Sequence, residues 1–175
     1  MPKKTPAAMR ELILIRHAEA QAHGGPGGDF QRPLSERGEQ DAAMLGRRLA
    51  QRALHPDRFS CSSALRALGT ARLVAAGLGV RPERLLAEER LYLASAGDLL
   101  AWINALPDSC RTVLLVAHNP GLAELATIFT GRALRGFPPG TALGLRFPLS
   151  HWASLTPGDA RFEFVELPAG QGSQP

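Results

Sequence analysis

Two apolar runs in this chain, residues 13–15 and 112–117, end abruptly on polar residues, the first on Arg16 and His17 and the second on His118. A strand covered by helices on both sides needs apolar side chains on both faces, so such runs read as buried strands of a parallel sheet. Further runs at 59–63, 84–87, 142–147 and 162–167 read as strands, the last two at a sheet edge. Between the strands, apolar residues recur at helical spacing. Ala42, Leu45, Leu49 and Ala53 give a helix one buried face after Ser35, a cap with Glu36 in the first turn. Leu68, Ala71, Ala75 and Leu78 do the same for a helix that starts near Ala64 and closes at Gly79. Ser95 and Asp98 form a capping-box signal before Leu99, Ile103 and Leu106. Asn119 as cap, Pro120 at the first helical position and Gly131 past the end frame a fourth helix, burying Leu122, Leu125 and Phe129. The glycine-rich segment 23–29 reads as a mobile loop beside the first strand, and 132–141 as another loop. Strands alternating with helices predict an α/β sandwich around a mostly parallel sheet.

Ligands of such sheets collect beyond the carboxyl ends of the strands. Arg16, His17 and His118 sit at such ends, and Arg66 lies in the first turn of the helix after the 59–63 strand. Taken singly, each has a bland reading. The Arg16-His17 pair could be a surface dipeptide, His118 a core histidine bonded to a carbonyl, and Arg66 a solvated helix arginine like Arg47, Arg48 and Arg72. Three strand ends that each supply a cation or an imidazole make one shared anion site the sharper reading. His23, His55 and His151 lie in loop-like surroundings and carry no assignment.

The combination of Arg16-His17-Ala18-Glu19-Ala20, Ser62-Ser63-Ala64-Leu65-Arg66-Ala67 with Thr70-Ala71, and a later strand ending on His118 resembles the histidine phosphatase superfamily, also called phosphoglycerate mutase-like. The resemblance covers about residues 11–147. Arg32-Pro33-Leu34-Ser35, Leu91-Tyr92-Leu93-Ala94-Ser95 and His118-Asn119-Pro120-Gly121-Leu122, with the short chain, bring it closest to the SixA-type branch of phosphohistidine phosphatases. The implied fold is a minimal three-layer α/β/α sandwich. Ala18 stands where the family pattern has glycine, which would add a methyl near the nucleophile.

Transfer of a phosphoryl group is catalysed mainly by positioning and by cationic donors around its oxygens. Arginine suits this because its planar fork binds two oxygens and stays charged. Arg16 and Arg66 are the expected clamp, with His118, Asn119 and the N–H groups of the following helix start as further phosphate ligands. A neutral imidazole would attack phosphorus while its other nitrogen is held by a hydrogen bond. The residues alone do not rank His17 above His118; the resemblance gives the covalent role to His17. The resemblance also points to Glu89, in Glu89-Arg90-Leu91-Tyr92, as general acid, against a plain reading of Glu88, Glu89 and Arg90 as a solvated charge cluster. The implied activity is a metal-independent, cofactor-free protein phosphohistidine phosphatase that releases inorganic phosphate. The alternatives are a small-molecule phosphomonoesterase, favoured by Glu89, and a phosphate-binding module without turnover. A mutase fits less well because no insertion encloses the site, which should be shallow and open.

Composition narrows the picture further. At 175 residues with 45% apolar content, one domain at 10–167 is expected between flexible tails at 1–9 and 168–175. The net charge of +4, part of it in a basic tail at Lys3, Lys4 and Arg10, favours anionic ligands. With 6% aromatic residues and no basic stripe, nucleic acid is not an expected partner. The two distant cysteines, Cys61 and Cys110, fit no metal spacing and suit a reduced compartment. Arg10, Glu11 and Arg16 break any leader-like apolar run, and no stretch could span a bilayer, so a cytoplasmic monomer without membrane contact is expected.

Overall fold

The structure, a computed structural model, describes residues 9–132 and 137–170; residues 1–8 and 171–175 of the expected tails and the centre of the 132–141 loop lie outside the described residues. Six strands form one sheet: β1 (Met9–Arg16), β2 (Arg58–Ser62), β3 (Leu85–Glu88), β4 (Thr112–Ala117), β5 (Ala142–Pro148) and β6 (Arg161–Glu166). Their order across the sheet is β3-β2-β4-β1-β5-β6. The first four are mutually parallel, while β5 runs antiparallel to β1 and β6 to β5. The late strands thus close one side of the sheet, with β6 at its edge.

Alternation along the central strands divides the core in two. Leu12, Leu14, Val113 and Leu115 point to the layer of α3 (Ala96–Asn104) and α4 (Gly121–Thr130). Ile13, Ile15, Leu114 and Val116 point to the layer of α1 (Glu36–Gln51) and α2 (Leu65–Leu78). Every side chain on these strand segments is lost to water, which explains why the runs are unbroken; each such Leu or Ile contributes roughly 1.5–3 kcal/mol of burial. The result is a three-layer α/β/α sandwich, as the resemblance implies. On the α1–α2 side the helices approach closely, since a Cβ on Gly77 would lie 2.5 Å from the Gly46 carbonyl carbon.

Local signals set the helix ends. Ser35 Oγ accepts from Gly38 N–H, Ser95 and Asp98 form a reciprocal capping box, and Gly79 and Gly131 close α2 and α4 in the left-handed conformation. Four expectations need correction. Ala53 lies past the end of α1 and is exposed, because the helix stops at Gln51. The cap of α4 is Pro120, not Asn119. Arg10 belongs to no tail: it lies in β1, 2% exposed, donating to the carbonyls of Asp108, Cys110 and Ser150 and pairing with the Asp108 carboxylate. Segment 23–29, expected as a loop without regular structure, carries 3-10 turns at Gly25–Gly27 and, from its last residue, Asp29–Gln31, the second anchored by its acidic residue. Among the described residues, no helix is long and apolar enough to cross a membrane.

Candidate active site

Parallel pairing brings the histidines together. Arg16 is level with Ala117, and His17 N–H donates to Ala117 O at 3.1 Å, so the residues that follow, His17 and His118, leave the sheet side by side. Their ring centroids are 5.0 Å apart. β2 ends beside β4 and delivers Ser62, whose Oγ lies 2.8 Å from His118 Nε2. Arg66, in the first turn of α2, is 3% exposed and directs Nε to His17 Nε2 at 3.2 Å. Thr70 joins the two segments, because its hydroxyl donates to Arg66 O and accepts from Ala18 N–H. The Ala18 side chain packs in a small apolar cluster with Leu34 and Ala42.

The proton on His17 is fixed by its neighbours. Nδ1 is 2.8 Å from Ala18 O, a pure acceptor, so Nδ1 carries the hydrogen and Nε2 the lone pair that Arg66 Nε–H meets. Burial, reinforced by Arg66 and Arg16 and opposed by the Ala18 carbonyl, pushes the His17 pKa down to about 4. His118 falls to about 3, again through burial first, with the charges of His17 and Arg66 adding to it. Both imidazoles are neutral at pH 7. His118 therefore acts there as a neutral donor or acceptor. Ser62 Oγ accepts from Ala64 N–H and can give its own proton to His118 Nε2, which leaves a hydrogen on His118 Nδ1, a buried atom with no protein partner.

A cavity of about 240 Å³ lies over these groups, and Arg16, His17, Arg66, His118 and Asn119 all line it. Arg16 Nη1 donates to Phe137 O at 3.0 Å while its buried Nε has no protein partner. Asn119 Nδ2 donates to the same carbonyl at 3.2 Å. The start of α4 offers fewer donors than expected, since Pro120 has no N–H and Leu122 N–H is spent on His118 O. Glu89 is exposed and is not among the cavity residues; Glu19, with Ser35 Oγ on its Oε1 at 2.7 Å, is. From the Glu89-Arg90-Leu91-Tyr92 segment it is Tyr92 that reaches the site, its ring edge-on to His118 at 5.4 Å.

Sequence reasoning passed over Asp29. Arg66 Nη1 donates to Asp29 O at 2.6 Å and Nη2 to Oδ2 at 2.8 Å, Tyr92 OH donates to Oδ2 at 2.7 Å, and Arg32 Nη1 to Oδ1 at 2.9 Å. The Tyr92 hydroxyl first, then Arg32 and Arg66, hold this carboxyl far below the usual carboxylate range. The one available signal was an acidic residue that closes the glycine-rich segment following β1.

The histidine phosphatase superfamily (branch 1) matches residues 12–98. An uncharacterized protein of Mycobacterium tuberculosis is 31% identical over 163 residues, covering 88% of this chain and 99% of the relative. The chain belongs to the histidine phosphatase superfamily. Within the superfamily it falls in the SixA-type branch. A Nakamurella multipartitia structure described as a candidate phosphohistidine phosphatase SixA superposes with a TM-score of 0.79 at 28% identity, covering 94% of this chain and 99% of that one. A comparable Agrobacterium tumefaciens structure gives 0.77 at 24% identity, covering 91% and 98%. Histidine phosphatase membership supports a phosphatase, a hydrolase acting on a phosphorylated substrate. Among the described residues no group of three His, Cys, Asp or Glu side chains is placed to hold a metal ion.

Proposed function

We propose that this protein hydrolyses protein phosphohistidine through a covalent intermediate on His17. The observation that carries the reading is the His17 imidazole itself: Nδ1–H anchored on Ala18 O and an Nε2 lone pair facing the Arg66 guanidinium. A nucleophile needs that lone pair, and an equatorial oxygen of the phosphoryl group it attacks can take the adjacent N–H. Arg16 and Arg66 supply the positive charge that spreads over the equatorial oxygens, and His118 and Asn119 add neutral donors. With two guanidinium groups in these positions the reading invokes no metal. Water then attacks the phosphohistidine and inorganic phosphate leaves.

A phosphohistidine substrate releases an imidazole that bulk water can protonate, so no carboxylic acid is required over the leaving nitrogen. Glu89 consequently has no role in this reading. A second reading, a phosphomonoesterase, draws support from Glu19, a carboxyl group on the cavity wall that in its acid form could protonate an ester oxygen. The two separate in kcat/KM measured on a phosphohistidine-bearing protein and on a panel of phosphomonoesters. The first reading predicts a preference for the protein by at least ~100-fold and little effect of Glu19→Gln, with ~10³-fold or more lost in His17→Ala. A preference for a small ester, lost in Glu19→Gln, would establish the second.

A further inference from the structure

We infer that Asp29 is a positioning residue for Arg66, held by Tyr92 and Arg32, and that oxyanion binding depends on it although it carries the same sign of charge as the ligand. This rests on the proposed role of Arg66 as a phosphate ligand. A guanidinium has five N–H donors in one plane, and its direction is set by whichever acceptors hold it. Here Asp29 accepts one N–H from each terminal nitrogen, through its carbonyl and its carboxylate, and the Nε–H is directed at His17 Nε2. Arg66 is almost fully buried while the Asp29 side chain is 45% exposed, so the acid reaches the arginine from the solvent side and closes over it.

The acid is itself fixed. Tyr92 OH and Arg66 Nη2 share Oδ2, Arg32 Nη1 takes Oδ1, and Arg32 Nε is tied back to Gln21 O at 2.7 Å. Phe30 stacks edge-on against Tyr92 at 5.0 Å, fastening the next residue of the loop to the same wall. Gly28, at φ +67°, is the bend that lets the chain turn Asp29 inward. These contacts join elements distant in sequence, the segment after β1, the start of α2 and the turn after β3, at one side chain. None is required to bury apolar surface, because Asp29, Phe30 and Arg32 lie outside the core, and Arg32 lines the cavity.

Two accounts of Asp29 predict opposite signs. If its charge simply opposes an incoming anion, removing that charge tightens oxyanion binding. If it positions Arg66, removal weakens binding because the guanidinium loses its direction. Calorimetric titration of the purified protein with tungstate separates them without requiring turnover. Asp29→Asn should weaken tungstate about tenfold, as Arg66→Ala should, and Asp29→Asn combined with Arg66→Ala should bind no more weakly than Arg66→Ala alone. Tyr92→Phe, which removes only the hydroxyl that holds Asp29, should weaken it about two- to threefold and add nothing to Asp29→Asn. In steady-state assays Asp29→Asn should lower kcat more than it raises KM, since a misdirected clamp costs most where charge develops. Tighter tungstate binding in Asp29→Asn, or losses that multiply in the Asp29→Asn, Arg66→Ala protein, would overturn the inference while leaving the Arg66 assignment in place. Unchanged tungstate binding in Arg66→Ala would overturn both.

Discussion

His17 and His118 are neutral because burial beside two guanidinium groups makes a third and fourth positive charge costly. The consequence for stability has a definite sign. Both folded pKa values lie below the ordinary value of 6.5, so the stability these groups lend is fully present above that pH and is lost as pH falls toward 3–4, where the unfolded chain has taken up protons that the folded one refuses. Each contributes a slope approaching ~1.4 kcal/mol per pH unit between those limits. Urea unfolding of the parent and of His17→Gln, His118→Gln from pH 7 to 4 should show the variant losing less stability per pH unit. Parallel curves would mean that the imidazoles are ordinary surface groups. The residues with a fixed place at a strand end or in a first helical turn, Arg16, His17, Arg66 and His118, were visible in the sequence because strand ends announce themselves. Asp29 was not, because its bond to Arg66 spans 37 residues and no local pattern encodes it.

The elements follow the chain's punctuation closely. Ser35, Ser95 with Asp98, Gly79 and Gly131 each act within one turn of themselves, and the helices begin or end where they stand. Glycines that allow helices to touch leave no such mark. Gly46 and Gly77 look like weak points in helical patterns until α1 and α2 are seen to meet at them. Gly77→Ala should therefore destabilise the protein by ~1–3 kcal/mol, against the slight gain that alanine normally brings to a helix. Thermal or urea unfolding measures this directly, and an unchanged or raised midpoint would show that the α1–α2 contact is looser than described. The start of α4 illustrates the opposite limit: Asn119 has cap chemistry, yet its amide serves the Phe137 carbonyl and the helix begins one residue later.

At the scale of the molecule, parallel pairing does what no motif could state. Placing β4 between β1 and β2 sets the ends of three strands side by side, so residues separated by about a hundred positions face one cavity. The alternation of strands and helices indicated the parallel sheet, and the resemblance supplied the expectation of a shared site. The closing of the sheet by β5 and β6, and the ordering of the glycine-rich segment by Asp29, depend on contacts across the whole chain. By this convergence His17 Nε2 is proposed as the acceptor of a phosphoryl group. Rapid quenching of the enzyme with a 32P-labelled phosphohistidine protein, followed by peptide mapping under alkaline conditions, tests it most directly. The account predicts acid-labile label on His17 that forms and decays within a turnover and is absent from His17→Ala; label on His118 or on no residue, with turnover intact in His17→Ala, would contradict it.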